Sequence, residues 1–216
     1  MTRTRDIPSS AGAPAPESLL RRPAGALALK RGFDLVVAAV ALLTVYPLAW
    51  LIFAPLIKLS SRGPVLFRQR RTGLGGREFT CLKFRTMCLN DQADTRQSGG
   101  DDERIFRTGL FLRRTGLDEL PQLVNILRGE MSLIGPRPHM LSHTEFYGAR
   151  VEGYALRHRV RPGITGWAQV SGSRGETPDV SDMQRRIDLD NHYIEHWSLW
   201  LDARILLKTF LTLFHS

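Results

Sequence analysis

Residues 35–57 contain no charged side chain, yet prolines stand inside that run at positions 47 and 55. Read as one straight helix, the run would rise about 35 Å, enough to cross a hydrocarbon core. Pro47 lies at its midpoint, and an interior proline removes a backbone hydrogen bond and clashes with the preceding turn. A break at Pro47 leaves arms of about 18 Å, too short to cross alone. The flanks favour a re-entrant hairpin. Lys30 and Arg31 precede the run, and Lys58, Arg62, Arg68, Arg70 and Arg71 follow it. A spanning helix is expected to gather such charge on one side, whereas a hairpin returns both ends to the cytosol. A single-pass span remains the alternative.

The charge balance extends this picture. Thirty Lys and Arg against 21 Asp and Glu give a net charge of +9. That suits anionic headgroups, a phosphorylated substrate or nucleic acid. No zinc-finger, basic-zipper or single-strand-binding pattern is present, so nucleic acid ranks last. Residues 1–28 are rich in Ala, Pro, Ser and Arg without apolar periodicity, which predicts a disordered basic tail rather than a secretory signal. Cys81 and Cys88, the only cysteines, are expected to be reduced core residues facing the cytosol.

Beyond the apolar run, residues 63–69 and 77–84 alternate in the β manner around Gly73, Gly75 and Gly76, predicting a β-hairpin. Lys83 and Arg85 then fall on one strand face, either as site residues or as a solvated surface. Residues 90–103 are polar and acidic and predict a mobile loop.

Leu117, Leu120, Val124 and Leu127 follow a helical period that stops at Gly129. Gly116 is the expected N-cap, with Glu119 at the capping-box position. Asp118 and Glu119 would then lie at the positive end of a helix, either as structural caps or as a reactive carboxylate beside a metal-holding one. Arg137 favours the second reading. Pro136 and Pro138 stiffen the backbone around it, presenting a planar guanidinium suited to bidentate phosphate binding. Arg113 and Arg114 add further donors. Residues 161–169 form a Gly-rich turn able to approach an anion. A helix starting at Ser181 or Asp182 should carry Asp190 and Tyr193. Residues 197–214 read as a helix in the membrane interface, or as a packed core helix. His139/His143 and His192/His196 are spaced i, i+4, but lack the His-Glu-x-x-His form and a third ligand, so a zinc hydrolase is disfavoured.

In order along the chain stand Lys30-Arg31-x-Phe33-Asp34, Gly63-Pro64-Val65-x-Phe67-Arg68-Gln69, Lys83-Phe84-Arg85-Thr86-Met87, Leu117-Asp118-Glu119-Leu120-Pro121-Gln122, Gly135-Pro136-Arg137-Pro138 and Pro162-Gly163-Ile164-Thr165-Gly166-Trp167-Ala168-Gln169. Together they resemble the bacterial sugar transferases, the monotopic polyprenyl-phosphate phosphoglycosyl transferases. Arg174-Gly175-Glu176-Thr177 and the segment from Trp197 resemble the undecaprenyl-phosphate glucose and galactose phosphotransferases of exopolysaccharide synthesis.

The resemblance implies transfer of a sugar 1-phosphate, glucose ahead of galactose, from a UDP-sugar to polyprenyl phosphate with release of UMP. A non-catalytic membrane scaffold is the rival from another class. Asp118 is implied as the nucleophile forming a covalent phosphosugar intermediate, and Glu119 with Asp118 as the Mg²⁺ site. Arg113 and Arg137 match the family's phosphate-binding arginines, Asp190 an active-site acid, and Lys83, Arg85 and Arg161 further substrate contacts. Membrane lipid is an implied partner, nucleic acid is not, and a homo-oligomer is left open.

The expected architecture is α+β and mostly helical, with a re-entrant membrane helix, a small β-hairpin and amphipathic interfacial helices around a cytosolic active site. Its boundaries are the tail at 1–28, the membrane helix at 29–62 and the catalytic part at 63–216, on the cytosolic face of the bacterial inner membrane. Two departures from the family pattern are visible. Tyr46 precedes the proline where a serine is usual, and Gly116 replaces a serine at the helix cap.

Overall fold

The computed structural model describes residues 22–90, 99 and 102–214. Most of the expected tail and most of the 90–103 loop lie outside these residues. Helix α1 (Ala24–Leu43) begins inside the span expected to be disordered, five positions before residue 29. Helix α2 (Val45–Ser60) follows at once, bent from α1 by 50°.

The break falls at Thr44 rather than Pro47, for a steric reason. A proline ring clashes with the carbonyl four residues back, here Leu43, and Leu43 is the last residue of α1. Pro47 then occupies the first turn of α2, where an N–H has no intrahelical acceptor. The Thr44 hydroxyl donates to Val40 O (2.8 Å), a local bond that Tyr46 is too long to make. Pro55 lies inside α2 without ending it. No single helix among the described residues is long and apolar enough to cross a membrane, whereas the bent pair together meets that test.

Both ends of the bent pair dock on one body. At the α1 end, Arg31 donates to Ile126 O (2.7 Å) and Met131 O (3.3 Å), buried Asp34 accepts from the Leu133 amide (3.1 Å), and Ala38 is fully buried. Lys30 pairs with Asp202 (2.7 Å), whose carboxylate also accepts from Tyr193 Oη (2.8 Å) and Trp197 Nε1 (3.0 Å). At the α2 end, Ala49 and Ile57 pack with Phe84 and Leu112.

That body is α+β and mostly helical. Strands β1 (Leu66–Thr72) and β2 (Glu78–Phe84) pair antiparallel from Leu66↔Phe84 to Thr72↔Glu78, forming the predicted hairpin. Helices α3 (Arg107–Thr115) and α4 (Gln122–Leu127) follow, then β3 (Ser132–Ile134), α5 (Leu141–Gly148) and β4 (Gly163–Thr165). A parallel β3–β4 pair, Ser132↔Gly163 and Ile134↔Thr165, turns the Gly-rich segment into a two-stranded support. The short α6 (Trp167–Val170) leads to α7 (Val180–Glu195) and α8 (Leu199–Phe214). The core gathers Ala38, Phe79, Cys81, Leu123, Ile126, Ile134, Tyr193, Ile194 and Ile205. Burial of each larger apolar side chain here stabilises the fold by about 1.5–3 kcal/mol.

Two expectations are refined. Cys81 is buried, but Cys88 is exposed; both are free. Helix α8 packs into the core along one face and leaves the other open. Ile205 is fully buried in the core, while Trp200, Leu207, Phe210 and Leu211 are exposed.

Candidate active site

The Leu117–Gln122 motif does not form one capped helix. Gly116 adopts the left-handed conformation (φ 70°) and terminates α3, and its amide bonds back to Arg113 O (3.3 Å). A glycine serves here because a Cβ is disfavoured in that conformation. The chain then makes a single 3₁₀ turn, Leu117–Glu119, and α4 starts only after Pro121, which stands at its N-cap. Pro121 therefore removes no helical hydrogen bond. Leu117 and Leu120 face apolar clusters, and Asp118 and Glu119 point away from them. The helix N-terminus expected to govern the two carboxylates is replaced by neighbouring side chains.

Those neighbours divide unequally. Glu119 Oε1 accepts from Lys83 Nζ and Arg137 Nη2, both at 2.6 Å, and Oε2 lies 3.3 Å from Arg137 Nη1. Asp118, 7% exposed, has only Lys83 at 3.7 Å as an ion-pair partner among the described residues. The electrostatics follow the geometry. Burial raises the Asp118 carboxyl above its usual range, aided by Glu119 and opposed by Lys83, Arg137 and Arg113. Burial acts on Glu119 in the same sense, but Arg137 and Lys83 outweigh it and hold that carboxyl well below its ordinary value. Arg137, facing Glu119, is held firmly charged.

Arg113 closes the third side. Its Nε donates to Thr86 Oγ1 (2.9 Å), and α3 can carry it there because Gly109 lies directly on the backbone of Thr86. A Cβ at Gly109 would sit 2.0 Å from Thr86 O. Asn125 sets the strand against the helix. Buried in α4, it accepts from the Leu82 amide (3.1 Å) and donates to Thr80 O (2.7 Å) and Glu130 (2.6 Å), fixing β2, and so Lys83, next to Glu119.

These groups open into a cavity of about 450 Å³ whose walls include Arg71, Lys83, Arg113, Asp118, Glu119 and Arg137. Three other residues implied by the sequence make their observed bonds elsewhere. Strand β2 ends at Phe84, so strand alternation does not carry over to Arg85. Arg85 forms part of the cavity wall, but its guanidinium turns into the C-terminus of α2, donating to Pro64 O (2.6 Å), Ser61 O (2.8 Å) and the Ser61 hydroxyl. Asp190 is buried behind the site, 3.1 Å from Arg157, and Arg157 in turn donates to the Arg137 carbonyl. Burial pushes the Asp190 carboxyl up to about 6, against the pull of Arg157 and Arg186. Arg161 is exposed, bonds Gly129 O (2.9 Å) and does not line the cavity. Arg114 is exposed as well.

Sequence reasoning missed Asn125, Arg157, Arg71 and Gln169. A lone Asn inside Leu123-Val124-Asn125-Ile126-Leu127 is the signal that could have exposed the first. His139 lies against Arg157, and burial followed by that guanidinium lowers its pKa well below the usual value, leaving a neutral ring inside the network. No group of three or more His, Cys, Asp or Glu able to hold a metal occurs among the described residues. Asp118 and Glu119 nevertheless fit a Mg²⁺ ion shared with a phosphate, since that ion is usually held by one or two carboxylates plus substrate oxygens. Both offer hard oxygens, and Glu119 Oε2 has a single long contact.

The cavity thus joins one loosely paired carboxylate to several fixed cations, an arrangement suited to attack on a polyanionic phosphoryl group. Comparison with known proteins gives the same direction. A family model described as bacterial sugar transferase matches residues 25–216. A UDP-glucose:undecaprenyl-phosphate glucose-1-phosphate transferase of Xanthomonas campestris pv. campestris is 53% identical over 82% of this chain and 37% of its own length. Proteins of the same description from Escherichia coli K12 and Caulobacter vibrioides are 50% and 48% identical, over 86% and 96% of this chain and 39% and 79% of their own lengths. The chain therefore spans well under half of the first two relatives.

Proposed function

Because the chain belongs to the bacterial sugar transferase family, we propose that it transfers a sugar 1-phosphate, glucose 1-phosphate first among candidates, from a UDP-sugar to undecaprenyl phosphate. The observation that carries this reading is the inequality of the two carboxylates. Glu119 is held by Lys83 and Arg137 on its oxygens, while Asp118 keeps a near-free carboxylate aimed into the same cavity. Attack therefore falls to Asp118.

An Asp118 oxygen bonds to the phosphorus carrying the sugar, the bridging P–O bond to the uridine phosphate breaks, and UMP leaves with that electron pair. A phosphate oxygen of the polyprenyl acceptor then displaces Asp118, regenerating the carboxylate and giving a polyprenyl diphosphate sugar. Lys83, Arg113 and Arg137 stabilise charge on the phosphoryl oxygens in both displacements. The raised pKa of Asp118 marks a more basic, hence more nucleophilic, carboxylate, consistent with covalent catalysis. Asp118 and Glu119 would hold Mg²⁺, which when bound neutralises charge on the donor's diphosphate.

A lipid acceptor requires the cavity to face a membrane, and the bent pair α1–α2 supplies the anchor. From Asp34 to Leu43 and from Val45 to Ile57 the helices rise only about 15 and 20 Å, less than the hydrocarbon thickness of about 30 Å. Their outer ends dock on the same body through Asp34 and Ile57. A re-entrant anchor on the cytosolic face of the bacterial inner membrane accounts for both facts, and the exposed apolar face of α8 adds an interfacial contact.

Purified protein in detergent or nanodiscs, given UDP-glucose and undecaprenyl phosphate, should release UMP in a Mg²⁺-dependent manner. UDP-galactose and other UDP-sugars in the same assay identify the preferred donor. No UMP from any of them would refute the reading.

A further inference from the structure

We infer that Gln169 is a recognition residue for the sugar-nucleotide donor, accepting a hydrogen bond from one of its neutral O–H or N–H groups; this rests on the transferase reading above. Gln169 stands in α6, and its Nε2 donates to Ile164 O at 3.1 Å. That bond fixes the amide, because turning it over would set two carbonyl oxygens against each other. The remaining atom, Oε1, is buried and has no partner among the described residues. Buried acceptors without partners are rare in folded proteins and mark a place where a partner is supplied from elsewhere.

The location identifies that partner's chemistry. Gln169 lines the cavity that holds Asp118, Glu119 and Arg137. The segment before it is tied to the arginine turn, since the Gly135 amide donates to Thr165 O (2.9 Å) and Arg137 follows two residues later. A carbonyl oxygen repels phosphate, so it does not serve the diphosphate. Apart from its phosphate, the polyprenyl acceptor is hydrocarbon and has no donor to offer. A UDP-sugar offers hydroxyls on its hexose and ribose and one N–H on its base. A site built to pair such a group rejects analogues lacking it far better than an apolar wall does.

The test uses the full chain in nanodiscs with UDP-glucose as donor, UMP as competing inhibitor, and the variants Gln169→Leu and Gln169→Glu. Leu removes the acceptor and the Nε2 bond together, whereas Glu retains an acceptor oxygen, loses the bond to Ile164 and adds a negative charge that weakens binding of every anionic donor alike. Loss of one neutral hydrogen bond predicts a fall of about tenfold in kcat/KM for Gln169→Leu. The ratio of kcat/KM for UDP-glucose over UDP-galactose, UDP-xylose and UDP-N-acetylglucosamine should be preserved better in Gln169→Glu. If UMP inhibition is unchanged while kcat/KM falls, the partner is on the hexose; if UMP binding weakens in parallel, it is on the ribose or base. A Gln169→Leu enzyme within twofold of wild type for every donor, with UMP inhibition also unchanged, would overturn the assignment while leaving the transferase reading intact. A wild-type protein that releases no UMP would instead overturn both.

Discussion

Replacing Arg85 separates a structural from a substrate-binding role for an arginine that the motif alone assigns to substrate. Arg85 is 2% exposed and clasps the C-terminus of α2, with bonds to Pro64 O, Ser61 O and Ser61 Oγ and a longer one to Ile57 O (3.5 Å). A cation there complements the negative end of the helix dipole and caps the Ser61 carbonyl at the helix end. Each charged hydrogen bond contributes about 1.5–3 kcal/mol, but some of these carbonyls regain water when the arginine goes. The net cost of Arg85→Met should therefore be about 3–4 kcal/mol. For a domain of this size that corresponds to a fall in Tm of roughly 10 °C. The assay is thermal unfolding in detergent, paired with UDP-glucose kinetics well below the new Tm. The expected variant is destabilised with KM within about threefold of wild type, as for loss of an anchor rather than a ligand. An unchanged Tm with kcat/KM reduced a hundredfold would refute the argument and return Arg85 to the substrate.

Glu119→Gln should lower Tm markedly, because it leaves Lys83 and Arg137 facing each other without their shared carboxylate, and breaking such buried pairs costs about 3–5 kcal/mol. The acid limb of the wild-type pH–rate profile should lie above the ordinary Asp value of 3.8, since burial raises Asp118 and only its ionised form attacks. In Glu119→Gln any residual activity should show that limb at lower pH, because the lost charge is one of those raising it; a limb moving upward would contradict this. Asp190 gives a stability signature of definite sign. Its folded-state pKa, pushed up to about 6 from 3.8, exceeds the unfolded value, so its contribution is fully present below 3.8 and is lost as pH rises through 6. Denaturant melts should show wild type losing up to about 3 kcal/mol relative to Asp190→Asn over that window, and parallel curves would refute it.

Much of this arrangement is legible in residue order, because its parts are local. The hairpin follows from alternation around Gly73, Gly75 and Gly76, and the apolar run with its proline predicts a bent helix pair. The exact break does not follow, because a proline's clash is felt four residues upstream, at Leu43 rather than at Pro47. Asp118, Glu119 and Arg137 were readable as a group, and their inequality was not. It depends on Lys83 arriving from a strand 36 positions away to bond Glu119 at 2.6 Å while standing 3.7 Å from Asp118. Buried polar fixtures such as Asn125 and Arg157 are opaque to periodicity for the same reason. Their partners are backbone atoms and side chains brought in by tertiary packing, as in the contacts of Asn125 with Thr80 and Leu82. Even Lys30-Arg31-x-Phe33-Asp34, readable as flanking charge, proves to be a clamp on Ile126, Leu133 and Asp202.

The central claim is that Asp118 itself becomes phosphorylated by the donor. Wild-type protein incubated with UDP-glucose and Mg²⁺, without lipid acceptor, should gain the mass of one hexose phosphate by intact-protein mass spectrometry, with the adduct mapping to the peptide containing Asp118. Undecaprenyl phosphate should discharge it, and Asp118→Asn should never acquire it. An unmodified wild type that still turns over, or an adduct that persists in Asp118→Asn, would contradict the account.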